Sequence, residues 1–166
     1  MMEGDILGDM GGPDGRRCHV AIQREDVDSS ALVEKLVNGQ TGCIVTFTGT
    51  VREWTGDRKT LDIYYECYEE MAEREIASIC EEALGRFGIL GCYVIHRANV
   101  LLRPGDRVVF IGVSAAHRKE AFRACEYIID EVKKRAPIWK KERYDEGYDE
   151  DVRGMQEKKE ALRNEQ

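Results

Sequence analysis

The alternation of apolar and polar positions along the chain predicts strands interleaved with helices. Residues 42–51, GCIVTFTGTV, are rich in β-branched side chains and predict a strand. Residues 69–87 carry apolar side chains at spacings of three and four, the period of a helix that packs on one face. A second long helix is predicted over residues 119–134, before Pro137, which prevents its continuation. This order of elements indicates an α+β or α/β fold in a single domain.

Shorter elements complete the pattern. Asp28 offers an N-cap for a first helix with Leu32, Val33, Leu36 and Val37 on one face. Short strands are predicted at residues 19–22, 61–68, 92–95, 100–102 and 107–115. The inward face of the second long helix is predicted to consist of Phe122, Cys125, Ile128, Ile129 and Val132.

Composition indicates a soluble globular protein, with 42% hydrophobic and 34% charged residues among 166. The formal net charge of -7 argues against binding to nucleic acid or to a membrane surface.

Residues 1–17, rich in Gly and Asp, are predicted to form a disordered leader. Residues 18–147 are predicted to form the folded domain, and residues 148–166 a charged C-terminal tail. We expect a cytoplasmic protein.

The six cysteines form no C-x-x-C pair and lack zinc-ribbon spacing. Buried free thiols of a reducing compartment are the favoured interpretation, and a catalytic cysteine is the lesser alternative. No metal site is predicted. The chain also has no P-loop, no G-x-G-x-x-G, no H-E-x-x-H and no G-x-S-x-G, so these signatures support no nucleotide hydrolysis, dinucleotide redox chemistry or zinc peptidase activity.

Positive charge is concentrated in one part of this acidic chain. Residues 103–141 hold ten Lys and Arg against five Asp and Glu, so the segment carries +5 and the remainder -12. Within it, residues 133–141, KKRAPIWKK, place five cations around a break at Pro137. An anionic ligand would explain this cluster, and so would a solvated helix end that complements the helix dipole. In the first case, neighbouring cations are expected to lower the pKa of Lys133 and Lys140.

Two further positions suit an anion. His117 and Arg118 follow an apolar strand and begin the second long helix, where free backbone N–H groups and a planar guanidinium can hold phosphate or carboxylate. A structural histidine at an element boundary is the alternative. Arg52 ends the strand over residues 42–51, where it could hold a phosphate or point to solvent.

Several of these stretches together resemble the large, catalytic subunit of molybdopterin synthase, over roughly residues 20–147. The matching segments are GCIVTFTGTVR at 42–52, VIHR at 94–97, PGD at 104–106, VSAAHR at 113–118 and KKRAPIWKKE at 133–142. The resemblance implies an α+β fold of the α/β-hammerhead type, with a mixed sheet and two long helices. It also implies sulfurtransferase activity that requires no metal or organic cofactor.

The resemblance further implies an assembly. Two large subunits would form a homodimer, and each would bind one small ubiquitin-like sulfur-carrier subunit with a C-terminal Gly-Gly, giving a heterotetramer. The carrier's thiocarboxylate would supply sulfur to cyclic pyranopterin monophosphate, and two transfers would form the dithiolene of molybdopterin. A non-catalytic module that binds a ubiquitin-like tail or a phosphorylated metabolite is the alternative.

Site residues follow from the matching motifs. Lys140 would assist protonation or release of oxygen, and Lys133 would orient the thiocarboxylate and stabilise oxyanions, although the two roles could be exchanged. In the family one site draws on both protomers, so some residues could act across the dimer. The substrate-binding and supporting residues implied are Arg52, His117 and Arg118, with Arg135 and Glu142 behind them.

Overall fold

Two β-sheets and three helices make up the fold. The computed structural model describes residues 10–11, 17–145 and 147–150. The helices are α1 (Ser29–Leu36), α2 (Glu69–Phe87) and α3 (Arg118–Arg135). The strands are β1 (Met10–Gly11), β2 (Arg17–Gln23), β3 (Cys43–Thr50), β4 (Trp54–Thr55), β5 (Arg58–Cys67), β6 (Gly91–Arg97), β7 (Leu101–Leu102), β8 (Arg107–Ala115), β9 (Ile138–Tyr144) and β10 (Gly147–Glu150).

The first sheet has the strand order β1-β2-β6-β8-β3, and its single parallel pair is β2 with β6. Helices α2 and α3 pack on one face of it, and α1 packs on the other. Alternate residues of the central strands therefore enter two different cores. Val94 and Ile111 lie beneath α2 and α3, whereas Ile95 and Phe110 belong to the smaller core under α1.

The second sheet has the order β10-β9-β5-β4, with β7 also paired to β5. All of its strand pairs are antiparallel. A mixed sheet, an antiparallel sheet and two long helices confirm the predicted α+β class.

The helix ends follow from local chemistry. Asp28 caps α1 because its carboxylate accepts a hydrogen bond from the Ala31 amide at 3.2 Å. Gly88 ends α2 in the left-handed conformation, with φ of 65°, which glycine adopts without a steric penalty. After α3, Ala136 turns to extended backbone before Pro137. The predicted bounds of α2 are confirmed, and those of α3 are right within one residue at each end.

Two expectations about buried side chains are wrong. Phe122 is 61% exposed, because the buried stripe of α3 runs through Ala121, Cys125, Ile128 and Val132 and leaves Phe122 on the outer side. Val37 is also 61% exposed, since α1 has already ended at Leu36. The charged segment after Pro137, for which the sequence predicted no element, forms strand β9 and pairs with β5.

The predicted terminal segments lie mostly outside the described residues. Of the leader, residues 1–9 and 12–16 are outside, whereas Met10–Gly11 pair with β2 and Arg17 begins β2. Of the tail, residues 151–166 are outside, and residues 148–150 continue strand β10 against β9. Backbone pairing thus extends beyond the predicted domain boundary at residue 147.

All six cysteines are free thiols and five of them are buried, which confirms the predicted burial of free thiols. Within the described ranges, no helix combines the length and apolar character needed to cross a lipid bilayer.

Candidate active site

A cavity of about 620 Å³ opens where the end of α3 meets both sheets. Its volume suits a small-molecule ligand. Apolar side chains from three elements, Val51 after β3, Ile63 of β5 and Val132 of α3, form part of its wall. Its ionisable lining residues are Arg52, Tyr65, His96, Lys133, Lys140 and Glu142.

Lys140 and Glu142 lie two residues apart on β9, so their side chains share one face of the strand. Lys140 Nζ donates to Glu142 Oε2 at 2.8 Å, and the Thr60 hydroxyl donates to Glu142 Oε1. Glu142 is buried, with 3% of its side chain exposed, whereas 39% of the Lys140 side chain remains accessible. Trp139, the buried residue before Lys140, packs edge-on against Tyr68 with ring centroids 5.0 Å apart and anchors the strand.

The charge state of this pair contradicts the expectation for Lys140. Burial lowers the pKa of Lys140, but the hydrogen bond and the negative charge of Glu142 outweigh it, so the pKa lies above its ordinary value. Burial likewise raises the pKa of Glu142, and hydrogen bonds from Lys140 and Thr60 more than reverse this, so it lies below its ordinary value. Both groups are therefore charged at neutral pH. The expected lowering is wrong because the nearest charge is a carboxylate rather than another cation.

Lys133 reaches the cavity from the last turn of α3. Within residues 18–145 it has no salt-bridge partner. Lys134, one residue further along the helix, does not line the cavity and pairs with Glu131 at 3.7 Å. Adjacent lysines of one helix turn thus face different surroundings.

Arg52 completes the cationic lining at the end of β3. It is exposed, and Thr55 of the β4–β5 hairpin lines the cavity beside it. Three cations therefore stand around the cavity against the single carboxylate of Glu142. This excess of two positive charges favours an anionic ligand.

His117 and Arg118 lie at the opposite end of α3. Both are exposed, and neither lines the cavity. Sixteen residues separate His117 from Lys133, so a helix rise of 1.5 Å per residue places them about 24 Å apart. The single chain does not bring them together with the two lysines.

Arg135 points away from the cavity and joins α3 to α2. Its guanidinium pairs with Glu75 at 2.7 Å, with Glu82 at 2.8 Å and with Glu131 at 3.4 Å. The Tyr127 hydroxyl also donates to Glu82, at 2.6 Å. Arg135 and then Tyr127 lower the pKa of Glu82 to about 2. Rather than standing behind the ligand site, Arg135 fixes the end of the helix from which Lys133 projects.

Sequence reasoning about the site missed Thr60, Tyr65 and His96. The ring of Tyr65 meets that of His96 edge-on at 5.4 Å, and both line the cavity. Burial raises the pKa of Tyr65, so its hydroxyl stays protonated at neutral pH. The alternating pattern of residues 61–68 carried the signal for Tyr65, but only the pairing of β5 with β9 shows which face meets the lysines.

Comparisons with known proteins agree on one family. The model of the MoaE protein family matches residues 22–135. The molybdopterin synthase catalytic subunit of Thermoplasma volcanium is 42% identical over 129 residues, covering 78% of this chain and 93% of the relative. That of Pyrococcus abyssi is 44% identical over 123 residues, covering 74% of this chain and 82% of the relative.

Solved structures give the same assignment. Molybdopterin synthase from Staphylococcus aureus superposes with a TM-score of 0.73 at 40% identity, covering 77% of this chain and 93% of that chain. The molybdopterin biosynthesis MoaE protein of Burkholderia ambifaria superposes with a TM-score of 0.68 at 34% identity, covering 79% and 86%. The fold, the matched residues and these relatives show that the chain belongs to the MoaE family of molybdopterin synthase catalytic subunits.

Proposed function

We propose that this chain transfers sulfur from the thiocarboxylated C-terminus of a small ubiquitin-like carrier to cyclic pyranopterin monophosphate, forming the molybdopterin dithiolene in the cytoplasm. The observation that carries the proposal is the cavity in which Arg52, Lys133 and Lys140 face a single carboxylate. Both reactants are anionic, one through a cyclic phosphate and the other through a thiocarboxylate. A pocket with excess positive charge suits both.

The two lysines differ in how their charges are held. Lys140 is oriented by Glu142, which is itself held by Thr60, so its ammonium keeps a defined position on the cavity wall. Lys133 projects from the last turn of α3, has no salt-bridge partner among the described residues and is available to an incoming anion. We assign Lys133 to the thiocarboxylate and to the oxyanion formed from it, and Lys140 to the oxygen that leaves the substrate.

Each transfer then needs two bond changes at the carrier. The thiocarboxylate sulfur forms a bond to a carbon of the pterin side chain while a carbon–oxygen bond at that carbon breaks and the departing oxygen takes a proton from Lys140, giving an acyl thioester between carrier and substrate. Water next attacks the acyl carbon, the carbon–sulfur bond to the carrier breaks, and the carrier leaves as an ordinary carboxylate. The tetrahedral oxyanion that forms in this second step is where a nearby ammonium lowers the barrier.

His117 and Arg118 take part only if a second copy of the chain supplies them. They lie about 24 Å from Lys133 along α3, too far to share a ligand within one chain. The exposed Phe122 lies one turn from Arg118 on the same helix, which gives that end of α3 an apolar group for contact between copies. In the resulting homodimer, each cavity would use Lys133 and Lys140 of one protomer and Arg118 of the other.

The direct test mixes the purified full chain with a thiocarboxylated carrier and cyclic pyranopterin monophosphate. Mass spectrometry should detect the dithiolene product, together with carrier that has lost its sulfur. A stable complex with the carrier but no product would overturn the enzyme and leave a binding module. Neither complex nor product would overturn the assigned partner and substrate as well.

The composite site has its own test, in which Lys133→Ala and Arg118→Ala chains are mixed and allowed to exchange subunits. Each mixed dimer contains one site with both residues intact, so random exchange should restore about one quarter of wild-type activity from two inactive parents. A mixture that stays inactive, although mixed dimers are shown by mass, would mean that each site takes both residues from one protomer, or would remove Arg118 from the site.

A further inference from the structure

Three of the buried cysteines converge outside the cationic cavity. Cys18 of β2, Cys80 of α2 and Cys92 of β6 have sulfur atoms that all lie within 4.8 Å of one another. Cys18 and Cys92 are directly opposite each other in the parallel pairing of β2 with β6, and their sulfurs are 3.8 Å apart. Cys80 reaches them from the helix that covers this face of the sheet. Sequence separations of 12 to 74 residues hid this cluster from any spacing motif.

We propose that these three thiols form a binding site for one soft monovalent metal ion, Cu(I), which would tie α2 to strands β2 and β6. Sulfur ligands favour soft ions of this kind over Mg²⁺, Ca²⁺ or Mn²⁺. The proposal is independent of the sulfur-transfer site, because none of the three residues lines the cationic cavity.

The spacing of the sulfurs suits a planar three-coordinate ion. Three sulfurs that surround a metal at roughly 2.3 Å stand roughly 4.0 Å apart when the metal lies in their plane. The observed 3.8 Å between Cys18 and Cys92, and the 4.8 Å limit for the whole group, require only small shifts to reach this arrangement.

The number of ligands argues for Cu(I) rather than zinc. A structural zinc site is almost always tetrahedral and closed by four protein ligands. Among residues 18–145, the group contains three cysteines and no fourth Cys, His, Asp or Glu. The surrounding core is apolar, with Ile76, Ile79 and Val94 buried nearby in the same cluster. Such walls offer no oxygen ligand in place of the fourth residue.

Binding is a ligand exchange without oxidation or reduction. Cu(I) enters as Cu(I), and each cysteine that binds as a thiolate releases one proton to solvent. Because Cys80 and Cys92 are fully buried, loading requires an open state of the chain, and the ion is expected to enter most readily during folding.

The test refolds the full-length chain without oxygen in the presence of Cu(I) supplied as its acetonitrile complex. We expect one Cu(I) per chain, thiolate-to-copper charge-transfer absorption in the ultraviolet, and X-ray absorption that shows three sulfur neighbours. The loaded chain should also unfold at a higher temperature than the metal-free chain. No uptake on refolding, or a copper ion coordinated mainly by nitrogen or oxygen, would overturn the site.

Matched variants separate this site from general thiol binding. Cys80→Ser and Cys92→Ser should lose the charge-transfer band and the temperature shift, whereas Cys125→Ser should keep both. Cys125 is a suitable control because it is a buried thiol of the same core on α3 but lies outside the cluster. Equal loading of Cys80→Ser and wild type would overturn the proposal. Should either serine variant fail to fold, Cys18→Ala in β2 and the number of sulfur neighbours that X-ray absorption finds in the wild type still decide the matter.

Discussion

Two charged clusters at the end of α3 are built from neighbouring residues but differ in how far their charges are matched. Arg135 is surrounded by the carboxylates of Glu75, Glu82 and Glu131. At the cavity, Arg52, Lys133 and Lys140 share the single carboxylate of Glu142. The first cluster has no positive charge to spare and joins two helices, whereas the second holds cations that an anionic ligand can still satisfy. A basic segment therefore has to be interpreted residue by residue, according to the partners of each side chain.

The largest effect is expected where a lysine of the cavity is removed. Lys133→Ala and Lys140→Ala should each lower the rate of dithiolene formation by about 100-fold or more, the effect of losing one stabilising group for an oxyanion. The matched controls are Lys134→Ala and Lys141→Ala, because those lysines pair with Glu131 and Glu66 and do not line the cavity. Single-turnover product formation measures the difference. Equal losses of rate in Lys133→Ala and Lys134→Ala, or in Lys140→Ala and Lys141→Ala, would mean that the net charge of the segment matters rather than the position of each lysine.

Removing Glu142, the one carboxylate among the described residues that lines the cavity, should lower turnover less than removing a lysine does. Glu142→Gln deprives Lys140 of its charged partner, and we expect turnover to fall roughly 10-fold, since a charge-assisted hydrogen bond contributes about 1.5 kcal/mol. Without Glu142 the burial of Lys140 is uncompensated, so the pKa of Lys140 should fall. The alkaline limb of the pH–rate profile should therefore move to lower pH. If the alkaline limb of the pH–rate profile stays at the same pH in Glu142→Gln, Lys140 does not act as an ammonium.

Removing Arg135 from its cluster of carboxylates should lower the stability of the fold and leave the rate of the reaction largely unchanged. Arg135→Ala leaves Glu75 and Glu82 without their cation and leaves Glu131 with Lys134 alone, and we expect the free energy of unfolding to fall by about 1–3 kcal/mol. Arg135→Lys, which keeps the charge without the guanidinium fork, should recover part of this loss. Chemical denaturation measures the stability, and turnover per folded chain should change little. A loss of activity as large as that of Lys133→Ala, at wild-type stability, would place Arg135 in the reaction.

The same cluster has a defined acid dependence. The pKa of Glu82 is lowered from 4.5 to about 2, so its ion pair stabilises the fold above pH 4.5 and loses this contribution as the pH falls toward 2. In the Arg135→Ala variant the pKa of Glu82 should return toward 4.5, and the loss of stability across this window should become shallower. Parallel curves for the variant and the wild type would show that Arg135 is not the cause of the shift.

The sequence pattern was sufficient for the helices and for the basic side chains of the cavity. Helices α2 and α3 are long, periodic and closed by Gly88 and Pro137, so local chemistry defines them. The pairing of β5 with β9 was not visible, because the charged residues 138–144 lack a clear alternation and meet their partner strand across a long separation. Without β9, Lys140 and Glu142 could not be recognised as neighbours on one face, and the direction of the lysine pKa was mispredicted.

The assignments at the amino end of α3 show another limit. His117 and Arg118 were proposed for the same ligand as the lysines, and the length of α3 keeps them apart within one chain. A continuous helix of known length gives this distance between Arg118 and Lys133 from the sequence alone. The sequence does not show which surface of a second copy could bring Arg118 to the cavity. The cysteine cluster was missed for the opposite reason, since residues distant in sequence meet only through the parallel register of β2 and β6.

The pairing of β5 with β9 also sets the time at which a nascent chain acquires its cavity. Glu142 of the cavity wall and Thr60, which donates a hydrogen bond to it, are separated by 82 residues. During synthesis, β2, β3, β6 and β8 emerge before β9 and can assemble the first sheet with α2. The cavity wall has to wait until the ribosome has released residues 138–144. A chain interrupted before that point would lack Lys140 and its carboxylate, so the cavity wall is completed only late in translation.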